Sequence, residues 1–352
     1  MPRRGLAPMV IAVLSAACTQ PTPVHRSGVE TFSEVAMGVD VTITVAGTDA
    51  PARLTAARAA MGEVRACDGA LSDWQASSER SRLPRTAGVT TVASERLFDA
   101  SARAIEIAGS TQGRFDPTIA PIVQVWRAAR ARGVLPDEAA IDEALARVGW
   151  QHVRLDVPSR GITFDRDGMT LDFGGIGKGF AAQRASDIMV GSGHACHLVA
   201  VAGDLVAGPV APPGAPGWKV LKEDGLGEPL HLVLLGEAIS TSGDLEQFIE
   251  IDGVRHSHII DPRTGRALSN RTAACVRGPD GATCDALATA LCVAGVCDAP
   301  GLMRRFPGYR ASVTMIGTAG MQSWSTTPGP GGPPCHAEAI TVPDVEAAPH
   351  RR

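Results

Sequence analysis

The chain has 352 residues, enough to bury one large core or two modest ones. Hydrophobic residues make up 44% and charged residues 20%, the balance of an ordinary globular protein. Lysine plus arginine total 33 against 37 acids, a formal charge of −4, so no basic excess supports nucleic-acid binding by electrostatics.

Arg3 and Arg4 precede an apolar run from Leu6 to Ala17 that is too short to span a bilayer. A basic start, a short apolar stretch and small residues at its end make an export signal over residues 1–18. Cys18 follows Ser15, Ala16 and Ala17 as a lipidated cysteine follows its signal. Plain cleavage after Ala17, leaving a soluble periplasmic protein, is the alternative. Of the 8 cysteines, setting Cys18 aside leaves seven, so one thiol at least is unpaired within a monomer. Cys292 and Cys297 are near neighbours, but no CxxC pair and no zinc-ligand spacing occurs, and buried structural cysteines are expected.

Residues 19–30 are polar and proline-containing and read as a tether. From Met37 the segment MGVDVTITV alternates, with Val39, Val41, Ile43 and Val45 on one face, as a half-buried strand does. Asp49 and Pro51 open a helix with apolar positions Leu54, Ala57, Met61 and Val64. A second helical pattern around Leu97, Ile105 and Ala108 ends near Gly109 or Gly113. The polar segment from Ser72 to Pro84 between them reads as a loop, and GRFDPTIAPIVQVW from Gly113 as a proline-stiffened one. Short strands follow at MTLDF, HLVAVAG, GWKVL, HLVLL and HSHII, then a helix at ATCDALATALCVAG and a hairpin at VTMIGTAGMQSW. From Thr327 the chain turns Pro/Gly-rich and then charged, a disordered tail over 327–352. No repeat or internal linker appears, so a single large α+β domain of mixed sheets and helices is expected over 31–326.

Several segments carry residues suited to chemistry. In LDFGGIGKGFAAQRA, glycines surround Lys178 ahead of a helical pattern, so backbone can approach a ligand and a helix N-terminus can face an anion. It is neither a Walker A sequence nor a GxGxxG fingerprint, and a tight strand-to-helix turn explains it equally well. Asp285 and Thr289, one helical turn apart, offer hard oxygen ligands of the kind magnesium takes; an ordinary cap and a back-bonded threonine is the plainer account. In HSHIIDPRTG, His256 and His258 share a strand face before Asp261, which suits acid–base work or simply a hairpin turn. Thr241, Ser242 and Gly243 stand at a possible helix start. Trp74 sits among polar residues, a setting that suits stacking on a flat ring or the edge of a core.

The ordered series MG at Met37, SDW with SSERSRL, GRFDPTIAPIVQVW, LDFGGIGKG, AGD (Ala202–Asp204), STSGDLEQF, HIIDPRTG and CDALATAL resembles the FAD:protein FMN transferases, the ApbE-like family. The resemblance covers roughly Thr31 to Ser325, and HxIDPxTG with DALATA are its most specific parts. It implies an α+β fold with FAD in a cleft, magnesium beside the pyrophosphate, and FMN transfer to a threonine hydroxyl of a partner protein with release of AMP. Carried over by position, Asp285, Thr289 and a carbonyl near Gly175 are the implied magnesium ligands. Met37, Trp74, Phe115, Asp116, Asp172, Lys178 and Ile259 are the implied FAD contacts, and His258 and Asp261 the candidates for proton handling. The implied partner is a membrane or periplasmic redox protein. Three positions depart from the family pattern: Pro84 for an asparagine, Ala202 for the first glycine of GGD, and Gln183 for an aspartate. An FAD pyrophosphatase would use the same metal site, and a non-catalytic FAD-binding protein would need none; intact Asp285 and Thr289 argue against the latter.

If Cys18 carries the lipid, Cys18→Ser should be exported yet lost from the membrane fraction. Full-length, lipid-free protein in the cytosol would contradict the assignment.

Overall fold

A computed structural model describes residues 28–222, 226, 230–244, 247–317 and 320–326. The export signal, Cys18 and the tail from 327 lie outside these described residues. The first hairpin joins β1 (Val29–Ala36) to β2 (Val39–Ala46) through Met37 and Gly38, at φ 54° and 73°. Two left-handed residues are what a tight hairpin turn matching strand twist requires. The strand read from Met37 therefore begins at Val39, and Val29 and Glu30, assigned to the tether, belong to β1.

Helix α1 (Ala50–Leu71) starts where Asp49 accepts a hydrogen bond from the Ala52 N–H at 3.0 Å, with a proline in its first turn. Ala57, Met61 and Val64 are buried. After a loop come β3 (Thr90–Val92) and α2 (Glu95–Ser110), capped by Ser94. The segment expected as a stiffened loop is loop only in its first half, and α3 (Ala120–Arg132) occupies the second. Pro121 sits in the first turn, where its missing N–H breaks no helical bond. Then follow α4 (Glu138–Leu145), β4 (Val153–Asp156) and β5 (Gly161–Phe164), the last two forming a small sheet with β3.

MTLDF is not a strand. Met169, Leu171 and Phe173 are buried, but Arg80 Nε donates to the Leu171 carbonyl and the Asp172 N–H to that of Pro117, so no ladder forms. The segment leads instead into α5 (Gly177–Gly191). The rest alternates short strands with one long helix: β6 (His197–Val201), β7 (Asp204–Ala207), β8 (Trp218–Lys222), β9 (Leu230–Leu234), β10 (Ala238–Gly243), β11 (Phe248–Ile251) and β12 (Val254–Ser257). They are followed by β13 (Ile260–Asp261), β14 (Arg266–Ala267), β15 (Arg271–Gly278), α6 (Gly281–Met303), β16 (Arg310–Gly317) and β17 (Gly320–Ser325). Thr241, Ser242 and Gly243 lie in β10 rather than at a helix start. HSHII splits between β12 and β13, so His256 and His258 share no strand.

The main sheet has eight strands in the order β1-β2-β6-β7-β10-β15-β16-β17, every neighbour antiparallel. Three hydrophobic clusters form around it. The largest joins α1, α2, α5 and α6 to one face through Val64, Ala185, Leu287 and Leu291 against Ile43, Val199 and Val276. A second lies on the other face, where Trp218, Val220 and Leu234 of the β8–β9 hairpin cover Leu198, Leu205 and Ile239. A third, smaller cluster packs α3 and α4 around Ile122, Ile141 and Ile260. One α+β unit results, as composition and pattern suggested. No disulfide occurs among the described residues: Cys67, Cys275, Cys284 and Cys292 are buried thiols and Cys297 is exposed.

Ala202, in the turn between β6 and β7, holds φ 52°, where a Cβ is strained. Ala202→Gly should stabilise the fold by about 0.5–1 kcal/mol, raising Tm by roughly 1–4 °C. An unchanged or lowered Tm would show that the turn relaxes without the glycine.

Candidate active site

The site begins where the first turns of α5 and α6 touch. A Cβ on Gly179 would lie 2.2 Å from the Gly281 carbonyl oxygen, and one on Gly281 would lie 2.6 Å from that of Gly179. Only paired glycines allow this approach. It lets the Gly179 N–H donate to Asp285 Oδ2 at 3.0 Å, and the Gly281 N–H donate to Gln183 Oε1 at 3.0 Å. Gln183, one of the three departures, thus holds the start of α6.

Asp285 is only 2% exposed. Lys178 Nζ lies 3.2 Å from Asp204 Oδ2 and 3.8 Å from Asp285 Oδ2. Asp204, at the start of β7, also accepts a hydrogen bond from Ser240 Oγ of β10. Two buried carboxylates thus share one ammonium. Burial and the neighbouring Asp204 push the Asp285 carboxyl up to about 7, against the opposing pull of Lys178. Burial disfavours the charge on Lys178, but Asp204 and Asp285 outweigh it and raise its pKa above the usual lysine value.

One turn along α6, Thr289 Oγ1 lies 3.1 Å from Ser242 Oγ. A Cβ on Gly175 would stand 3.1 Å from the same Thr289 oxygen, so the glycine loop runs directly against it. The structure therefore brings together Asp285, Thr289 and Gly175. Among the described residues no group of three or more His, Cys, Asp or Glu side chains is arranged to hold a metal. One carboxylate, one hydroxyl and backbone oxygen form a sparse hard donor set, which fits magnesium with its remaining positions left to water or phosphate. The surplus negative charge of the buried cluster fits a cation too.

These groups form part of the wall of a cavity of about 860 Å³, within the size range of small-molecule and cofactor sites. Met37, Trp74, Asp172, Lys178, His258 and Ile259 also line it. Met37 is fixed at the hairpin tip by its N–H bond to Asp68 Oδ2, 3.1 Å. Asp172 Oδ1 accepts the Gly174 N–H at 2.7 Å and so shapes the glycine loop from within. His258 Nδ1 lies 3.0 Å from the Gln247 carbonyl, which can only accept, so the proton sits on Nδ1 and Nε2 keeps a free lone pair. The imidazole is open to water inside the cavity yet enclosed by protein. This partial desolvation, helped by the positive Arg130 and Lys178, holds its pKa below the ordinary histidine value.

Three candidates stand away from the cavity wall. Phe115 is buried behind Gly175, 3.4 Å from a Cβ placed there. Asp116 is buried as well, and its carboxylate accepts bonds from Thr118 and from the Trp150 N–H at 3.0 Å, tying loops together. Asp261 is occupied by Arg263, accepting from its N–H at 3.0 Å and pairing with its guanidinium at 2.8 Å. That geometry makes Asp261 the organiser of a turn. Asp204 and Ser242 are site residues that sequence reasoning named in motifs without giving them a role. Pro84 does not line the cavity.

Such a fold and cavity define an α+β protein with a cofactor-sized cavity beside a cluster of buried charged side chains. The chain belongs to the ApbE family, whose model matches residues 37–313. An FAD:protein FMN transferase of Salmonella typhimurium is 32% identical over 241 residues, 66% of this chain and 68% of that one. Its counterpart in Escherichia coli K12 is 28% identical over 81% of this chain and 84% of its own length. Among solved structures, the apo flavinyl transferase ApbE of Pseudomonas stutzeri superposes with a TM-score of 0.77 at 27% identity, covering 87% of this chain and 96% of its own. The Thermotoga maritima ApbE protein gives 0.72 at 26%, covering 84% and 96%.

If Asp285 is a magnesium ligand, protons and metal compete for it. Below about pH 7 the carboxyl binds a proton that the cation must displace, so apparent magnesium affinity should fall as pH is lowered. Magnesium should raise Tm more at pH 8 than at pH 6, and Asp285→Asn should abolish the rise. An equal rise in the variant would remove Asp285 from the metal site.

Proposed function

We propose that this protein transfers the FMN half of FAD to a threonine hydroxyl of a partner protein and releases AMP. The observation that carries the reading is the single cavity in which Lys178, Asp285 and Thr289 stand with His258, whose Nε2 is unengaged. The relatives named as FAD:protein FMN transferases support the same substrate.

Magnesium held by Asp285, Thr289 and backbone at Gly175 would neutralise charge on the pyrophosphate. The chain's own groups do the rest. Lys178 places a second positive charge at the start of α5, where the helix dipole also favours an anion. Asp172 holds the glycine loop in a shape that admits phosphate to backbone distance. The acceptor oxygen forms a bond to the FMN phosphorus as the bond from that phosphorus to the bridging oxygen breaks, and the electron pair leaves with AMP. The hydroxyl proton passes to His258 Nε2, and the Gln247 carbonyl keeps the ring in the tautomer that can receive it. With its pKa lowered, His258 is neutral and ready at pH 7.

Location and acceptor rest on sequence alone. We infer a periplasmic enzyme, lipid-anchored at Cys18, whose acceptor is a membrane or periplasmic redox protein.

With FAD and magnesium alone, AMP release should be slow. Adding an acceptor that carries the target threonine should accelerate it and leave denaturation-resistant flavin fluorescence on that protein. Valine in place of the acceptor threonine should abolish labelling. Equal release of FMN and AMP with or without acceptor would mean a pyrophosphatase instead. His258→Gln should lower the rate by about 10²–10⁴ with FAD affinity little changed; a rate near wild type would move the base elsewhere.

A further inference from the structure

Trp74 is the most exposed large hydrophobic side chain among the described residues, at 80%, and it lines the cavity. It belongs to the loop after α1, outside any helix or strand, where a tryptophan would ordinarily turn freely. Here it does not stand alone. The guanidinium of Arg127, projecting from α3, lies 4.3 Å from the ring centroid. Arg127 Nη2 is in turn 2.6 Å from Asp73 Oδ2, the residue that precedes Trp74. All three line the cavity.

We propose that Arg127, anchored by Asp73, holds the Trp74 indole as a fixed platform on which a flat ring of FAD stacks. This rests on the FAD reading above. The guanidinium covers one face of the indole, and the ring's high exposure leaves the opposite face open. The planar fork matters: it lies against the ring and bonds the neighbouring carboxylate at once, which a lysine's point charge does less well. Because the anchor is next to the tryptophan in sequence, backbone and ring are fixed together. The contact also ties the loop after α1 to α3, two parts of the cavity wall that come from different hydrophobic clusters. Arg127 is accordingly a positioning residue, acting through Trp74.

Calorimetric titration of the whole protein with FAD, FMN and ADP, without acceptor, tests this. Arg127→Ala should weaken FAD binding about fivefold. It should weaken one fragment to a similar extent and spare the other: loss of FMN binding identifies the isoalloxazine as the stacked ring, and loss of ADP binding the adenine. Arg127→Lys should recover part of the affinity, and Asp73→Asn should lose part. In a Trp74→Ala background, Arg127→Ala should cause no further loss. Undiminished additivity there would show Arg127 acting on phosphate directly and would overturn the platform, as would FAD affinity unchanged in Arg127→Ala. Failure of the unaltered protein to bind FAD at all would instead strike the functional reading itself.

Discussion

The contact between Gly179 and Gly281 is the constraint on which the site depends. With backbone against backbone, the carboxylate of Asp285 reaches the start of α5 and the ammonium of Lys178 reaches two buried acids. Any side chain at either glycine would push the helices apart by more than a hydrogen bond tolerates. The metal candidates, the lysine and the glycine loop are therefore one object, assembled by a single close approach. The sheet serves it as well: β7 and β10 are neighbours, so Asp204, Ser240 and Ser242 arrive on adjacent strands beneath the two helices.

Charge is arranged with the same economy. A lone buried carboxylate is costly, two are more so, and one lysine between them leaves the cluster a charge short. A proton on Asp285 is one remedy and a divalent cation another. Either would relieve the same imbalance between the buried Asp204 and Asp285 and the one lysine. His258 lines the same cavity, and enclosure together with the positive Arg130 and Lys178 holds its pKa below the ordinary histidine value, the opposite sense to the raised Asp285.

Much of this was legible in the sequence because its causes are local. Asp49 and Pro51 start a helix wherever they fall in that order before an apolar stripe, and the alternation from Val39 to Val45 needs no knowledge of its partner. The glycine run and the Asp285–Thr289 spacing were visible as motifs, and the family resemblance joined them. What was hidden depended on competition or distance. Arg263 claims Asp261 over Arg263's own short turn, although a motif alone presents the carboxylate as free. Pro121 looks like a breaker until its place in the first turn is known. Leu171 has the burial of a strand residue, but Arg80, far away in the chain, takes the carbonyl that a ladder would need. No window of sequence contains Gly179 and Gly281 together.

The three hydrophobic clusters have one more consequence. Leu71 and Phe173 of the first, Leu205 and Val220 of the second, and Ile119 and Trp126, packed with the third, all face the cavity. The cavity is a seam where all three clusters meet, two of them packed on opposite faces of one sheet. A ligand seated there works as a keystone. Bound there, it would touch side chains of all three clusters at once, so its binding energy would stabilise them together.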